Sequence, residues 1–125
     1  MKYIYSEKAP HPVGPYSHAV QTGNFLFLSG QIGIDPQTGD LVSTDIRDQT
    51  KTALNHIKAI LEEAGCDIES VVKTTVFLTT MEHFTVMNEI YAEFFGSHRP
   101  ARSCVAVSKL PKNALVEIEV IAYMG

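Results

Sequence analysis

Clustered positive charge, long apolar runs and an apolar leader are all missing from this sequence. Its 125 residues contain 10 Lys and Arg against 14 Asp and Glu, which gives a formal net charge of −4. Nucleic-acid binding normally needs clustered basic residues, so we expect no nucleic acid among its partners. Apolar runs such as Phe25–Leu28 are far too short to cross a bilayer, and no membrane association is expected. Residues 1–8 lack the apolar core of a signal peptide, which favours a cytoplasmic location.

The motifs of disulfide, metal and cofactor sites are also missing. Two cysteines, Cys66 and Cys104, are too few for a disulfide framework in a domain of this size, and we expect free thiols. None of the five histidines has a partner at zinc-binding spacing, so no metal site is predicted. The sequence contains no glycine-rich phosphate loop, and we therefore expect no cofactor.

Apolar residues make up 45% of the chain, which is enough for one core in a single domain spanning residues 1–125. A loop with three prolines occupies residues 9–16 and a turn occupies residues 35–39. Apolar residues at three- and four-residue steps predict a helix over residues 45–64, and Thr79–Glu82 fits a capping box that begins a second helix ending near Phe95. The predicted strands are 3–5, 17–22, 25–32, 71–79, 100–107 and 115–122, of which 25–32 is expected to be central.

Both predicted helices are amphipathic, which indicates an α+β fold with one mixed sheet and two α-helices packed on one face. The opposite sheet face carries too many apolar side chains to remain in water. Copies of the same chain are the simplest cover for such a face, so we expect a closed homo-oligomer.

Residues 100–107 and 115–122 contain the most suggestive pattern of side chains. Alternation along a strand places Arg102, Cys104 and Ala106 on one side, and Glu117 and Glu119 on one side of the second strand. If the two strands pair, a cation, a thiol and a carboxylate are expected on one face of the sheet. This pattern predicts a small-molecule site, although a plain cross-strand ion pair between Arg102 and either glutamate explains it equally well.

Seven motifs, taken in order, resemble the reactive intermediate deaminase A (RidA, YjgF-type) family over essentially the full length. Any one of these motifs is weak, but their order and spacing together are specific. They are Gly14-Pro-Tyr-Ser17, Ser29-Gly-Gln31, Asp35-Pro-Gln-Thr-Gly39, Val72-Lys-Thr-Thr-Val-Phe77, Arg99-Pro-Ala-Arg-Ser-Cys104, Leu110-Pro111 and Glu117-Ile-Glu119.

The resemblance implies a chorismate-mutase-like fold and a homotrimer with active sites between neighbouring subunits. It also implies cofactor-independent hydrolysis of 2-imino acids and their enamine tautomers, such as 2-iminobutanoate and 2-aminoacrylate, to 2-oxo acids and ammonia. By position in the motifs, Arg102 binds the substrate carboxylate and Glu117 handles the water. The resemblance places five further residues in the cleft, namely Tyr16, Ser29, Gly30, Asn88 and Cys104.

Several of these assignments have alternatives. Cys104 beside an arginine has the setting of an activated nucleophile, but free cysteine is more often a small buried apolar residue, and we interpret it as a wall of the cleft. Asn88 lies at the edge of a buried helical stripe, where either a structural hydrogen bond or a ligand contact satisfies its amide. Strand spacing alone does not choose between Glu117 and Glu119; the family pattern favours Glu117.

The chain departs from the family pattern at three positions. His18 stands where many members have glutamine, and Ala106 and Ser108 replace residues that are often charged or polar. These departures leave the preferred imine open. A metabolite-binding or regulatory trimer without catalysis is the alternative function, and ribonuclease activity is a third possibility that the net charge disfavours.

Overall fold

Six strands form one mixed sheet in the computed structural model, which describes residues 1–125. The strands are β1 Lys2–Ile4, β2 Ala19–Thr22, β3 Phe25–Leu28, β4 Val71–Leu78, β5 Ala101–Ala106 and β6 Val116–Tyr123. Their spatial order is β1-β2-β3-β6-β4-β5, where β4 and β5 run parallel and the other neighbours run antiparallel. The predicted central position of the third strand is confirmed.

Two helices, α1 Ile46–Glu63 and α2 Phe84–Phe95, pack on the sheet and bury the core between the two layers. Leu54 and Ile57 of α1 and Met87 of α2 are fully buried together with alternate residues of β6, such as Ile118. The predicted α+β architecture is confirmed. No helix in the chain combines the length and apolarity needed to cross a membrane.

The ends of α1 follow the sequence signals closely. The Asp45 side chain accepts a hydrogen bond of 2.7 Å from the Arg47 N–H and so caps the first turn. Gly65 follows the last turn with a φ of +86°, a left-handed conformation that glycine adopts without steric cost. These two residues explain why the helix begins and ends within one residue of the predicted limits.

The start of α2 differs from the prediction. Thr80, rather than Thr79, is the capping residue, and its hydroxyl accepts a hydrogen bond of 3.3 Å from the Glu82 N–H. This bond caps a short 3₁₀ turn, Met81–His83, and the α-helix itself begins at Phe84. The first four N–H groups of a helix have no acceptor within the helix. Here the tighter turn supplies acceptors for some of these groups.

The third strand is shorter than the predicted 25–32. It ends at Leu28, Ser29 and Gly30 leave the sheet, and Gln31 returns to it through an isolated bridge with Ile118. The two bridge hydrogen bonds measure 2.8 and 3.0 Å between the backbone atoms of these residues. The interruption creates a notch beside β6, and the candidate site lies there.

The sheet face opposite the helices is uncovered and largely apolar near its centre. Phe25, Phe27 and Tyr123 are exposed by 44%, 44% and 45%, and the Phe25 and Tyr123 ring centroids lie 5.2 Å apart. Val105 on β5 is similarly exposed. The three aromatic rings are neighbours on the sheet, and exposed apolar clusters of this kind are characteristic of interaction sites.

Candidate active site in two parts

The notch beside β6 opens into a cavity of about 480 Å³, which we call the Glu117 cavity. Its walls include four of the seven predicted site residues: Tyr16, Ser29, Gly30 and Glu117. Ser29 is fixed by its N–H, which donates to the His18 carbonyl at 2.9 Å, and by its hydroxyl, which donates to the Ser17 carbonyl at 2.8 Å. The interruption of β3 is therefore a hydrogen-bonded element that carries site residues.

Gly30 lies against the Glu117 side chain. A Cβ atom built on Gly30 would stand 2.8 Å from Cδ and 3.0 Å from Cγ of Glu117, which is closer than carbon atoms approach one another. Glycine therefore provides the space in which the carboxylate sits. A glycine inside a strand pattern often marks a close approach of another group, and here that group is the Glu117 carboxylate.

The environment of Glu117 favours the protonated carboxyl group more than water does. Burial of the half-buried side chain, and to a lesser extent the negative charge of Glu119, raises the pKa of the Glu117 carboxyl above its usual value. A carboxylate with a raised pKa is a stronger base when ionised, which suits it to proton transfer.

Arg102 lies in a different cavity of about 500 Å³, the Arg102 cavity, beside α2 and β5. Its Nη1 donates to Oδ1 of Asn88 at 2.7 Å, and its guanidinium carbon stands 4.7 Å from the centroid of the Tyr91 ring. The Tyr91 hydroxyl is in turn hydrogen-bonded to Thr74 at 2.8 Å. The guanidinium is thus held by a neutral amide and an aromatic face.

The cross-strand ion pair that competed with a ligand role for Arg102 is not formed. The chain contains one ion pair, between Arg47 and Glu89 at 3.1 Å on the surface. Arg102 has no carboxylate partner, and Asn88 is its single hydrogen-bond acceptor. Its remaining N–H donors can bind an external carboxylate in two parallel hydrogen bonds.

Cys104 shares the Arg102 side of β5 but lines neither cavity. Burial raises the pKa of its thiol, and the nearby Arg102 charge offsets only part of that increase. The thiol is therefore protonated at neutral pH, which opposes a role as a nucleophile. The surroundings agree with Cys104 as a packing residue.

One expectation about the two strands was wrong: Arg102 and Cys104 do not share a sheet face with Glu117. Strand β4 lies between β5 and β6, with Arg102 opposite Thr74 on one side and Glu117 opposite Phe77 on the other. Thr74 is fully buried and faces the helices, whereas Phe77 belongs to the open face. Because side chains alternate along β4, residues in register with positions 74 and 77 point in opposite directions.

A family model described as endoribonuclease L-PSP matches residues 6–124. The chain belongs to this family, the RidA/YjgF family. A RutC family protein of Pyrococcus horikoshii is 58% identical over 120 residues, which cover 96% of this chain and 95% of that protein. The 2-iminobutanoate/2-iminopropanoate deaminase of Homo sapiens is 45% identical over 124 residues, covering 99% and 90%. The crystal structure of E. coli TdcF with bound serine has a TM-score of 0.95 and 41% identity, and each chain is covered completely.

In this RidA/YjgF family member the predicted site residues form two groups within one chain. Tyr16, Ser29, Gly30 and Glu117 meet in one cavity, Arg102 and Asn88 meet in the other, and no residue lines both. No group of three or more His, Cys, Asp or Glu side chains is arranged to hold a metal ion.

Sequence reasoning missed two residues at these cavities. Tyr91 of α2 supplies the ring beneath Arg102. Lys112 lines the Glu117 cavity and has a φ of +56°, which is uncommon for a residue other than glycine. The Pro111-Lys112-Asn113 segment has turn-forming composition, but composition does not reveal which cavity a turn borders.

Proposed function

We propose that this protein hydrolyses 2-imino acids and their enamine tautomers, such as 2-iminobutanoate and 2-aminoacrylate, to 2-oxo acids and ammonia. The observation that carries the proposal is the 45% identity, over 99% of this chain, to a human protein named as a deaminase of this kind. The unpaired Arg102 guanidinium and the basic Glu117 carboxylate supply the two functions that such a reaction needs. The serine in the E. coli TdcF structure, a small amino acid with a carboxylate, supports a ligand of this class.

We propose further that a complete site forms between neighbouring copies in a homotrimer. Within one chain the carboxylate-binding residue and the base lie on opposite faces of the sheet, so neither cavity alone contains both. A neighbouring subunit that covers the open face would bring its Arg102 edge against the Glu117 cavity. The exposed Phe25, Phe27 and Tyr123 side chains supply apolar area for that contact.

In the proposed reaction Arg102 binds the substrate carboxylate with the donors that Asn88 does not use. Glu117 takes a proton from a water molecule while the water oxygen forms a bond to the C=N carbon, and the C=N electron pair moves to nitrogen. Glu117 then returns this proton to the nitrogen of the resulting carbinolamine. As the hydroxyl oxygen forms the carbonyl of the 2-oxo acid, its proton passes to Glu117, and the C–N bond breaks with its electron pair leaving on ammonia. The protonated imine carbon is already electrophilic, so the chemistry needs no cofactor, and general base catalysis contributes roughly 10²–10⁴-fold.

The other residues act as the walls and supports of this site. Gly30 provides space for the Glu117 carboxylate, and Ser29 fixes the strand interruption. Tyr16, which is half exposed at the mouth, closes the pocket over the substrate. Cys104 packs against the core on the Arg102 side of β5 and makes no covalent intermediate. Substrates of this kind are products of amino-acid dehydratases, so we also propose a cytoplasmic location.

A dehydratase-coupled assay tests the proposal. A threonine dehydratase releases the unstable imine, and addition of this protein should accelerate the appearance of 2-oxobutanoate and ammonia. Arg102→Ala and Glu117→Gln should abolish the acceleration, whereas Arg47→Ala, which removes only the surface ion pair, should retain it. Failure of the folded wild-type protein to accelerate product release would contradict the proposal.

The same cavities also suit a trimer that binds a metabolite without turning it over. Calorimetry with 2-oxobutanoate, run beside the coupled assay, separates the two functions. Binding with an unchanged imine lifetime indicates a binding protein, and binding with accelerated hydrolysis indicates an enzyme.

The matching family is described as endoribonuclease L-PSP, which makes ribonuclease activity a second catalytic candidate. The net charge of −4 and the scattered basic residues weigh against it. Incubation with a structured RNA at low and moderate salt decides the matter, because cleavage or strongly salt-dependent binding would support the nuclease.

A further inference from the structure

His18 occupies a position that the proposed reaction does not use. The residue is 2% exposed, and it lines the Glu117 cavity. The ring accepts a hydrogen bond at Nδ1 from the Ser6 N–H at 2.9 Å, and Nε2 lies 2.7 Å from the Pro10 carbonyl oxygen. Because both ring nitrogens are hydrogen-bonded to backbone atoms, the buried imidazole holds parts of the backbone together.

The two hydrogen bonds fix the tautomer of His18. A backbone N–H only donates, so Nδ1 must carry the lone pair; a carbonyl oxygen only accepts, so Nε2 must carry the hydrogen. The ring is therefore neutral and has one orientation. In this state it joins two points of the chain, Ser6 and Pro10, that are four residues apart.

The segment that His18 joins to the sheet has little structure of its own. Residues 6–16 contain no helix or strand, and Pro10, Pro12 and Pro15 have no N–H to donate. Its internal backbone hydrogen bonds are from Ala9 to Ser6 and from Tyr16 to Gly14. The hydrogen bonds that connect this segment to the rest of the chain both end on the His18 ring.

We propose that His18 is a positioning residue that fastens the loop of residues 6–16 over the Glu117 cavity and so places Tyr16 at its mouth. The backbone of His18 adds to this role, because its carbonyl accepts the Ser29 N–H at 2.9 Å. One residue thereby connects the loop to the strand interruption that carries Gly30. The effect on catalysis rests on the proposed deaminase site, whereas the fastening of the loop does not.

Substitution by glutamine and by leucine separates hydrogen bonding from packing. A glutamine amide offers one acceptor and donors on a side chain of similar reach, whereas leucine fills the space without either. His18→Gln is expected to keep kcat/KM in the coupled assay within about threefold of wild type. His18→Leu is expected to lower kcat/KM by about tenfold or more, through a higher KM for the imine.

Two measurements do not depend on activity. Nitrogen-15 NMR of the wild-type imidazole should show the Nε2–H tautomer at neutral pH. Amide hydrogen exchange should show protection of the Ser6 N–H in wild type and in His18→Gln, and loss of about tenfold or more of that protection in His18→Leu. The wild-type NMR measurement stands even if the leucine variant does not fold.

The outcomes are distinct. An Nδ1–H tautomer, or equal Ser6 protection in the leucine variant and wild type, overturns the proposal. An active wild-type enzyme whose leucine variant has unchanged kcat and KM overturns the positioning role. If the tautomer and the exchange pattern are as expected but the wild type has no deaminase activity, the fastening of the loop is supported and the proposed function fails.

Discussion

Gly30 leaves room for the Glu117 carboxyl group, because any side chain at position 30 would occupy the same space. A methyl group at position 30 would occupy space within 2.8 Å of the Glu117 Cδ, while the backbone around it is held by the Ser29 and Gln31 hydrogen bonds. The carboxylate, rather than the backbone, is the part that can move. This contact links the glycine in the Ser29-Gly-Gln31 motif to the base on β6, three strands later in the chain.

We therefore expect Gly30→Ala to impair the reaction more than the fold. The displaced Glu117 should lower kcat in the coupled assay by roughly 10²-fold, the lower end of a typical general-base contribution. Gly39→Ala is a matched control, because Gly39 has a φ of +79° in a remote turn with open space around it. The control should lose thermal stability through backbone strain and keep its kcat. A Gly30→Ala enzyme with wild-type kcat would contradict the assignment of Glu117.

Arg102→Lys tests whether the geometry of the guanidinium matters beyond its charge. Lysine keeps one positive charge but cannot hold Asn88 and a carboxylate in the same planar arrangement. Losing one charge-assisted hydrogen bond, worth about 1.5–3 kcal/mol, should lower kcat/KM by about 10–100-fold. Arg47→Lys at the exposed ion pair should have no effect on kcat/KM. Full activity of Arg102→Lys would mean that charge alone is sufficient.

The negative charge of Glu119 should be visible in the pH dependence of the reaction. Glu117 acts as a base only when ionised, so activity is lost as the pH falls through its raised pKa. Glu119→Gln removes the repulsion and should lower the pKa of Glu117, which moves the acid limb of the kcat/KM profile to lower pH. Burial remains, so the limb should stay above that of an ordinary glutamate. An unchanged limb, or one at higher pH, would show that another group controls this titration.

Mixing two inactive variants tests the intersubunit site directly. Arg102→Ala retains Glu117, and Glu117→Gln retains Arg102, so mixed trimers contain some sites with both functional residues if neighbours supply one each. Random mixing of equal amounts should restore about a quarter of wild-type activity in a cyclic trimer. Sedimentation should show three 13.8-kDa chains per particle. Restoration does not occur if both residues of a site come from the same chain.

The sequence by itself determined the elements and their limits wherever local chemistry controls them. Asp45 and Gly65 define α1 because a cap and a left-handed residue act within a few positions of the chain. The motifs also identified the family, since they depend on residue types in order rather than on their arrangement in space.

Only the tertiary structure decided which side chains meet. The alternation within β5 and within β6 is as predicted. However, both strands pair with β4, and the registers that align Arg102 with Thr74 and Glu117 with Phe77 place the two side chains on opposite faces. Strand order depends on long-range pairing, which the alternation within a strand does not encode. For the same reason, the sequence pattern does not encode the contacts of His18 with Ser6 and Pro10. Nor does it encode the contacts of Arg102 with Asn88 and Tyr91, which the tertiary structure brings together.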